Sequence, residues 1–143
     1  ITPGVMGRWN TMTASWGGFG HLWAKDVALV VVRPSRHTFG FMEREEGFTL
    51  SFFGESGRKV HDICGTRSGR ETDKAAAAGI TPRGFAGRVG FEEARLVISC
   101  RKVFAQDIDA SSFIDPSILP QHYPTGNLHR LYAGAVEGAW TRA

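Results

Sequence analysis

The feature that most constrains the fold is the nearly continuous apolar run Val27–Arg33, VALVVVR, which Pro34 follows at once. The run has the length of a strand, and β-branched residues dominate it. Because almost every side chain is apolar, we expect this strand to be buried on both faces. Proline has no amide hydrogen and a fixed φ, so Pro34 should end the strand.

Four other segments have the composition of strands. The clearest is Ala94–Phe104, whose alternation predicts one buried and one exposed face. Its two faces would carry Ala94, Leu96, Ile98 and Cys100 on one side and Arg95, Ser99 and Arg101 on the other. The remaining three are Asn10–Trp16, which Gly17 and Gly18 should break into a loop, Phe48–Phe53, which Gly54 closes, and His129–Trp140.

Short helices are predicted between these strands. One should run from Thr38, as its capping residue, to Gly47 just past its end. The stretch Gly54–Gly65 places Val60, Ile63 and Cys64 on one helical face, and the alanines 75–78 before Gly79 predict a one- to two-turn helix. Residues 106–128 are rich in residues that favour turns, and so long a stretch is typical of a functional or interface loop.

Strands with short interposed helices and no regular β-α-β alternation favour a mostly antiparallel barrel in the all-β or α+β class. The chain has 143 residues, eighteen glycines and six prolines, which fits one turn-rich β domain over residues 1–143. It begins at Ile1 and becomes strand-like almost at once, so we expect the leading part of the first strand to be missing. No run reaches 18 apolar residues and no secretion signal is recognisable, so the expected location is the cytoplasm.

The charged residues narrow the class of ligand. The net charge of the chain is +3, and its basic residues are scattered along the sequence. This distribution argues against a nucleic-acid-binding arm and suits a small anionic ligand. Cys64 and Cys100 have neither disulfide-motif nor zinc spacing, so we expect two reduced, buried thiols. His61-Asp62 is an isolated pair, and no metal is predicted.

The segment Arg33-Pro34-Ser35-Arg36-His37-Thr38 lies between a buried strand and a predicted helix start. Guanidinium forks bind phosphate oxygens in a bidentate way, and free amides at a helix start add to that attraction. A phosphate dianion therefore fits the segment. The alternative, that Arg33 and Arg36 are solvated or bind local carbonyls, is equally compatible with the motif.

Three weaker motifs allow a binding or a structural interpretation. One face of a strand would be lined by Thr11, Thr13 and Ser15. Their hydroxyls would hydrogen-bond the polar edge of a cofactor, or they would form ordinary cross-strand pairs. The loop with Ser68, Arg70 and Lys74 would close over an anion or simply be solvated. His129 would orient a substrate or donate a proton, or would be structural.

Taken in order, NTMTASWGGFG, VALVVVRPSRHTFGFM, FTLSFF, CGTRSGRETDKAAAAGITP, FEEARLVISCRKVFAQDI and HRLYAGAV resemble the flavin reductase-like family, which includes the flavoredoxins. The resemblance extends over nearly the whole chain. It implies an FMN-binding split β-barrel of Greek-key type, mostly antiparallel with short helices. It also implies a homodimer with one non-covalent FMN per subunit near the subunit interface.

The resemblance assigns a role to each motif. Along the flavin ring and ribityl chain it places Thr11, Met12, Thr13, Ser15 and Trp16, with the backbone around Ser51, Phe52 and Phe53 near the ring. Toward the phosphate it places Arg33, Arg36, Thr38, Ser68, Arg70 and Lys74. His129, spaced with Gly134 and Val136 as H-x-x-x-x-G-x-V, would lie on the nicotinamide side as a catalytic residue.

Three functions are compatible with the sequence. The first is an NAD(P)H-dependent flavin reductase, in which a nicotinamide passes a hydride to N5 of FMN and the electrons go on to an acceptor. The second is a flavoredoxin-type carrier that moves electrons between protein partners without using a pyridine nucleotide. The third is a barrel that binds a partner without flavin. No partner in the form of nucleic acid or membrane is expected.

Overall fold

The computed structural model describes residues 1–142, except the side chain of Ser56; Ala143, the last residue of the predicted domain, lies outside the described residues. Nine strands, four α-helices and two short 3₁₀ helices, Glu55–Gly57 and Ala110–Ser112, follow one another along the described residues. Their bounds are β1 Thr2–Val5, β2 Arg8–Trp9, β3 Gly17–Leu22, β4 Lys25–Val32, α1 His37–Arg44, β5 Gly47–Phe52, α2 Arg58–Thr66, α3 Lys74–Ala78, β6 Pro82–Phe85, β7 Arg88–Phe91, β8 Leu96–Asp107, α4 Ile118–His122 and β9 Arg130–Thr141.

Seven strands form one antiparallel sheet in the order β2-β1-β5-β8-β9-β4-β3, and β6 pairs with β7 in a separate hairpin. The sheet curls so strongly that Phe19 on the edge strand β3 lies beside Phe52 on β5, with their ring centroids 6.2 Å apart. No ladder joins β3 to β5 in the described chain, so the barrel stays open on this side. The fold is therefore a split, mostly antiparallel barrel with short helices, as predicted.

Two apolar clusters lie on opposite faces of the curled sheet. The inner cluster contains Val30, Met42, Phe48, Cys100 and Tyr132. The outer cluster joins α2, α3 and β7 to the sheet through residues that include Val60, Ile63, Cys64, Phe91 and Val97. Both cysteines are free and buried, as expected. None of the described helices is long and apolar enough to span a membrane.

The predicted strand Val27–Arg33 is confirmed as β4, with Val27, Ala28, Val30 and Val32 buried. The prediction that Asn10–Trp16 forms a strand is wrong. These residues are extended without strand pairing, because their amides bond to separate elements: Met12 to the carbonyl of Ile1 and Thr13 to that of Cys64. The glycine stretch expected to be a loop is instead the exposed edge strand β3.

Three further expectations are corrected. Thr38 does not cap its helix: α1 begins at His37, and the Thr38 hydroxyl accepts a hydrogen bond from the Asn10 amide at 2.7 Å. Gly47 opens β5 rather than following a helix end. Ser99 is fully buried, because the face of β8 that it shares with Val97 is covered by the outer cluster and its hydroxyl accepts from Arg88 of β7.

Candidate functional site

Three adjoining pockets surround the extended segment 10–16. The aromatic pocket, of about 310 Å³, is lined by Met12, Thr13, Ala14, Ser15, Trp16, Val31, Arg33, Arg36 and His129. The inner pocket, of about 110 Å³, shares Met12, Thr13 and Ala14 with it and extends to Ser51, Phe52 and Phe53. The polar pocket, of about 170 Å³, shares Arg36 with the aromatic pocket. The aromatic pocket thus adjoins both of the others through shared lining residues.

The polar pocket is strongly positive. It is lined by Ser35, Arg36, His37, Thr38, Thr66, Arg67, Ser68, Arg70 and Lys74, among which are four cationic side chains and no carboxylate. The first turn of α1 opens onto it, which adds the positive end of the helix dipole. Burial, followed by the charges of Arg70, Lys74 and Arg44, lowers the pKa of His37. This pocket therefore favours an anion with several oxygens.

Close packing holds the wall of the polar pocket together. Arg36 donates to the carbonyl of Gly65 at 2.8 Å, which anchors one guanidinium edge to the end of α2. A Cβ at Gly69 would lie 2.0 Å from Oδ1 of Asn10, so glycine is required for the loop to approach Asn10. The same Asn10 amide binds Thr38, so loop 68–70, segment 10–16 and α1 share one contact point.

Lys74 is a buried cation at the back of this wall, with 5% of its surface exposed. Its ammonium donates to the carbonyl of Thr11 at 2.9 Å and to that of Cys64 at 3.0 Å. Burial lowers its pKa, and the neighbouring Arg36 charge acts in the same direction. Lys74 therefore ties segment 10–16 to α2 while it contributes charge to the polar pocket.

Two of the three hydroxyls of segment 10–16 bind the protein itself. The Thr11 hydroxyl lies within hydrogen-bond distance of the Ile1 carbonyl, at 3.3 Å, and of the Thr2 hydroxyl, at 2.9 Å. The Thr13 hydroxyl donates to the His61 carbonyl at 2.6 Å. In contrast, the amides of Ala14 and Ser15 donate to no atom in the described part of the chain. Of the predicted row of hydroxyls only that of Ser15 is left for a ligand, and the backbone amides of Ala14 and Ser15 are further free donors of the segment.

The inner pocket contains an unpartnered polar atom. The hydroxyl oxygen of Ser51 is buried and has no hydrogen-bond partner among the described residues. It lines the pocket beside Phe52 and Phe53. Because a buried hydroxyl without a partner costs free energy, a polar ligand atom at this position would be stabilised.

An aromatic cluster forms the outer wall of the aromatic pocket. The ring of Trp16 lies 5.0 Å from that of His129 and 5.3 Å from that of His122. Arg33 donates to the His122 carbonyl at 2.8 Å and lies over the Tyr123 ring, 4.9 Å from its centroid. Burial, followed by the charge of Arg33, lowers the pKa of His129, which favours a neutral imidazole at pH 7.

The structure brings all the predicted site residues to these three pockets but distributes them differently from the prediction. Arg36, Thr38, Ser68, Arg70 and Lys74 line the polar pocket. Arg33 instead lies in the aromatic pocket, because its guanidinium is held by the end of α4. Sequence reasoning missed His122 and Tyr123; they lie in the long 106–128 loop, whose length and aromatic content were the available signal.

The structure thus combines an open antiparallel barrel with a positively charged pocket that adjoins an aromatic one, an arrangement that suits a flat ligand with an anionic tail. The family model described as flavin reductase like domain matches residues 2–143. The chain belongs to this family, whose fold is the FMN-binding split barrel.

Solved structures share this fold at low sequence identity. An FMN-binding protein from Thermus thermophilus with bound 1-cyclohex-2-enone is 23% identical, with a TM-score of 0.73 over 98% of this chain and 67% of its own. A flavoredoxin from Methanosarcina acetivorans is 19% identical, with a TM-score of 0.76 over 99% and 66%. A protein with a split barrel domain from Shewanella frigidimarina is 20% identical, with a TM-score of 0.73 over 99% and 64%.

The chain spans about two thirds of the length of these structures. A comparison with curated proteins found no match.

Proposed function

We propose that this chain binds one FMN and acts as an NAD(P)H-dependent flavin reductase. The observation that carries the proposal is the polar pocket, with four cationic side chains and no carboxylate, which adjoins an aromatic pocket through Arg36. The phosphate would bind between Arg36, Ser68 and Arg70. The flavin ring would lie along segment 12–16 and against Ser51–Phe53.

The polar atoms around the ring position fit a flavin. The buried Ser51 hydroxyl without a partner and the free amides of Ala14 and Ser15 are donors for the carbonyl and nitrogen atoms of the ring. Met12 and Phe53 are buried and supply the apolar surface that a flat ring needs. The family and its FMN-binding relatives support this choice of ligand over other anionic ring compounds.

Bound FMN would supply the redox chemistry, by accepting a hydride equivalent and passing electrons to an acceptor. The protein holds the phosphate, offers hydrogen bonds to the ring and leaves an open face beside Trp16 and His129 for a nicotinamide. His129 is neutral near pH 7, so it would act there as a hydrogen-bond donor or acceptor rather than as a fixed charge.

Anaerobic stopped-flow spectroscopy tests the reductase function. Stoichiometric NADH or NADPH should bleach the flavin absorbance of the reconstituted protein, and His129→Ala should keep its FMN content but slow the bleaching. If neither nucleotide bleaches the flavin while a reduced protein donor does, the chain is an electron carrier. If the protein takes up no added FMN, both redox functions are refuted.

The phosphate assignment is tested by comparing FMN with riboflavin. Arg36→Ala and Arg70→Ala should each weaken FMN binding by about 1.5–3 kcal/mol, because each removes a charged hydrogen-bond donor from the phosphate. Riboflavin binding should change little. Arg58→Ala, at an exposed arginine of α2, is the matched control. Equal losses for FMN and riboflavin would contradict the assignment.

We also propose a homodimer formed through an aromatic stripe, defined as the two ring pairs Phe19–Phe52 and Trp23–Phe104, whose centroids lie 6.2 Å and 5.6 Å apart. Trp23 is 58% exposed and Phe19 is 56% exposed, and all six residues of β3 are exposed. Large apolar side chains clustered on an edge strand mark an interaction surface. Phe52 belongs both to this stripe and to the inner pocket, which would bring the interface close to the flavin.

Sedimentation analysis of the wild-type protein and of Phe19→Ser with Trp23→Ser tests this assembly. A dimer for the wild type and a folded monomer for the double variant are expected. A wild-type monomer at micromolar concentration, with or without FMN, would contradict the proposal.

A further inference from the structure

Tyr123 and His129 form a hydrogen-bonded pair in the wall of the aromatic pocket, with the phenol oxygen 2.7 Å from Nδ1 of the imidazole. Tyr123 follows the last residue of α4 and is buried, with 7% of its surface exposed. Arg33 covers one face of its ring, and the ring of Trp16 lies on the side of His129. The pair is therefore enclosed by the protein on several sides.

The surroundings determine the direction of this hydrogen bond. A buried phenol hydrogen needs an acceptor, and Nδ1 of His129 is the one that the described part of the chain provides within hydrogen-bond distance. Burial raises the pKa of Tyr123, so the phenol keeps its proton. Burial and the Arg33 charge lower the pKa of His129, so the imidazole is neutral. When Nδ1 of a neutral imidazole accepts, the ring proton resides on Nε2.

We propose that Tyr123 is a positioning residue that fixes His129 as a neutral Nε2–H donor for a carbonyl or amide oxygen of a ligand in the aromatic pocket. The proposal rests on the proposed function for the identity of that ligand. Nε2 forms no hydrogen bond with the residues that the structure describes, although His129 lines the pocket. The donor is thus held in place by Tyr123 and remains available.

The same pair connects the pocket to the long loop. Arg33 binds the His122 carbonyl at 2.8 Å, and Asn127 donates to the Ser35 hydroxyl at 2.8 Å, so both ends of the 122–127 segment are attached to the turn after β4. These contacts fix the position of the Tyr123 phenol, and the phenol in turn fixes the tautomer of the His129 imidazole. The position of the loop therefore controls which nitrogen of His129 carries the proton.

Long-range proton–nitrogen correlation spectra of the full chain test the tautomer directly. In the wild type at pH 7, His129 should carry its proton on Nε2, with Nδ1 unprotonated. Tyr123→Phe removes only the hydroxyl and should give a mixture of the two tautomers. The matched control is Tyr132→Phe, at the other tyrosine, whose hydroxyl donates to Glu43; this variant should keep the wild-type tautomer. An Nδ1–H tautomer in the wild type, or an unchanged tautomer in Tyr123→Phe, would overturn the proposal.

A double-mutant cycle in the flavin-loaded protein tests the consequence for ligand chemistry. Tyr123→Phe should slow flavin reduction by NADH or NADPH by about threefold to tenfold, the value of one neutral hydrogen bond. The same change should have no effect in a His129→Ala background, because Tyr123 acts through His129. Equal slowing in both backgrounds would overturn the positioning role. If neither nucleotide reduces the flavin, the reductase function fails separately, and the spectra alone decide the tautomer.

Discussion

Lys74→Met separates the structural role of this lysine from its contribution to ligand binding. Methionine reproduces most of the apolar stem of lysine, so the packing around the buried side chain is nearly preserved. The change removes the ammonium that bonds to the carbonyls of Thr11 and Cys64 at 2.9 Å and 3.0 Å. The variant therefore isolates those two hydrogen bonds and one positive charge.

The expected cost follows from the two carbonyls. Each buried carbonyl that loses its partner costs about 1–3 kcal/mol. The Cys64 carbonyl retains a weak bond from the Thr13 amide at 3.4 Å, and the cost of burying a cation is relieved. The expected loss in the free energy of unfolding is thus about 2–4 kcal/mol.

The assay is urea denaturation without flavin, followed by FMN titration. Lys59→Met, at an exposed lysine of α2, is the matched control and should be nearly neutral. The expected result is a clear loss of stability in the absence of any ligand, with a weaker effect on FMN affinity. An unfolding free energy within about 0.5 kcal/mol of the wild type, together with a large loss of FMN affinity, would refute the structural role.

The dependence of the unfolding free energy on alkaline pH provides a second test of the role of Lys74. The pKa of Lys74 is lower in the folded protein than the ordinary lysine value of about 10.4. Between the folded and unfolded values the unfolded chain binds more protons, so this residue makes the unfolding free energy rise with pH in that interval. The rise should be smaller in Lys74→Met than in the wild type.

Two further predictions follow from single contacts. Ala86 and Gly87 form the two-residue turn between β6 and β7, and Ala86 has a φ of 48°, a conformation that asparagine tolerates better than alanine. Ala86→Asn should therefore raise the unfolding free energy, measured by urea denaturation, by about 0.5–1 kcal/mol. A decrease would contradict the strain argument. Arg33→Ala should remove the bond to the His122 carbonyl and the contact with Tyr123, and so weaken FMN and riboflavin binding equally in fluorescence titrations. A loss confined to FMN would place Arg33 on the phosphate instead.

Elements that depend on local patterns were predictable. The alanine helix α3 is capped by Asp73, whose carboxylate accepts from the Ala76 amide, and it ends at Gly79 with φ of 72°. β4 follows from its apolar run and the helical face of α2 from its spacing. In each case the signal lies within a few residues, so no knowledge of distant partners is needed.

Elements that depend on distant partners were not predictable. Segment 10–16 has strand-forming residues, but its hydrogen-bond partners belong to the first residue and to α2, about fifty positions away for the latter. β3 contains three glycines and becomes a strand because β4 pairs with it along its whole length. The hairpin of β6 and β7 had a signal in Ala86-Gly87, a two-residue turn between short strands.

The functional site shows the same difference between features that the local sequence predicts and features that depend on distant partners. The order of the motifs along the chain identified the residues that line the pockets, but their side-chain partners depend on the packed structure. Thr11, Thr13 and Lys74 bond to carbonyls of the protein, so these groups shape the pocket more than they contact a ligand. The donors left for a ligand include backbone amides, the hydroxyls of Ser15 and Ser51 and the guanidinium groups. Ligand specificity therefore depends on the donors that line the pockets and on how the bonds behind them hold segment 10–16 in place.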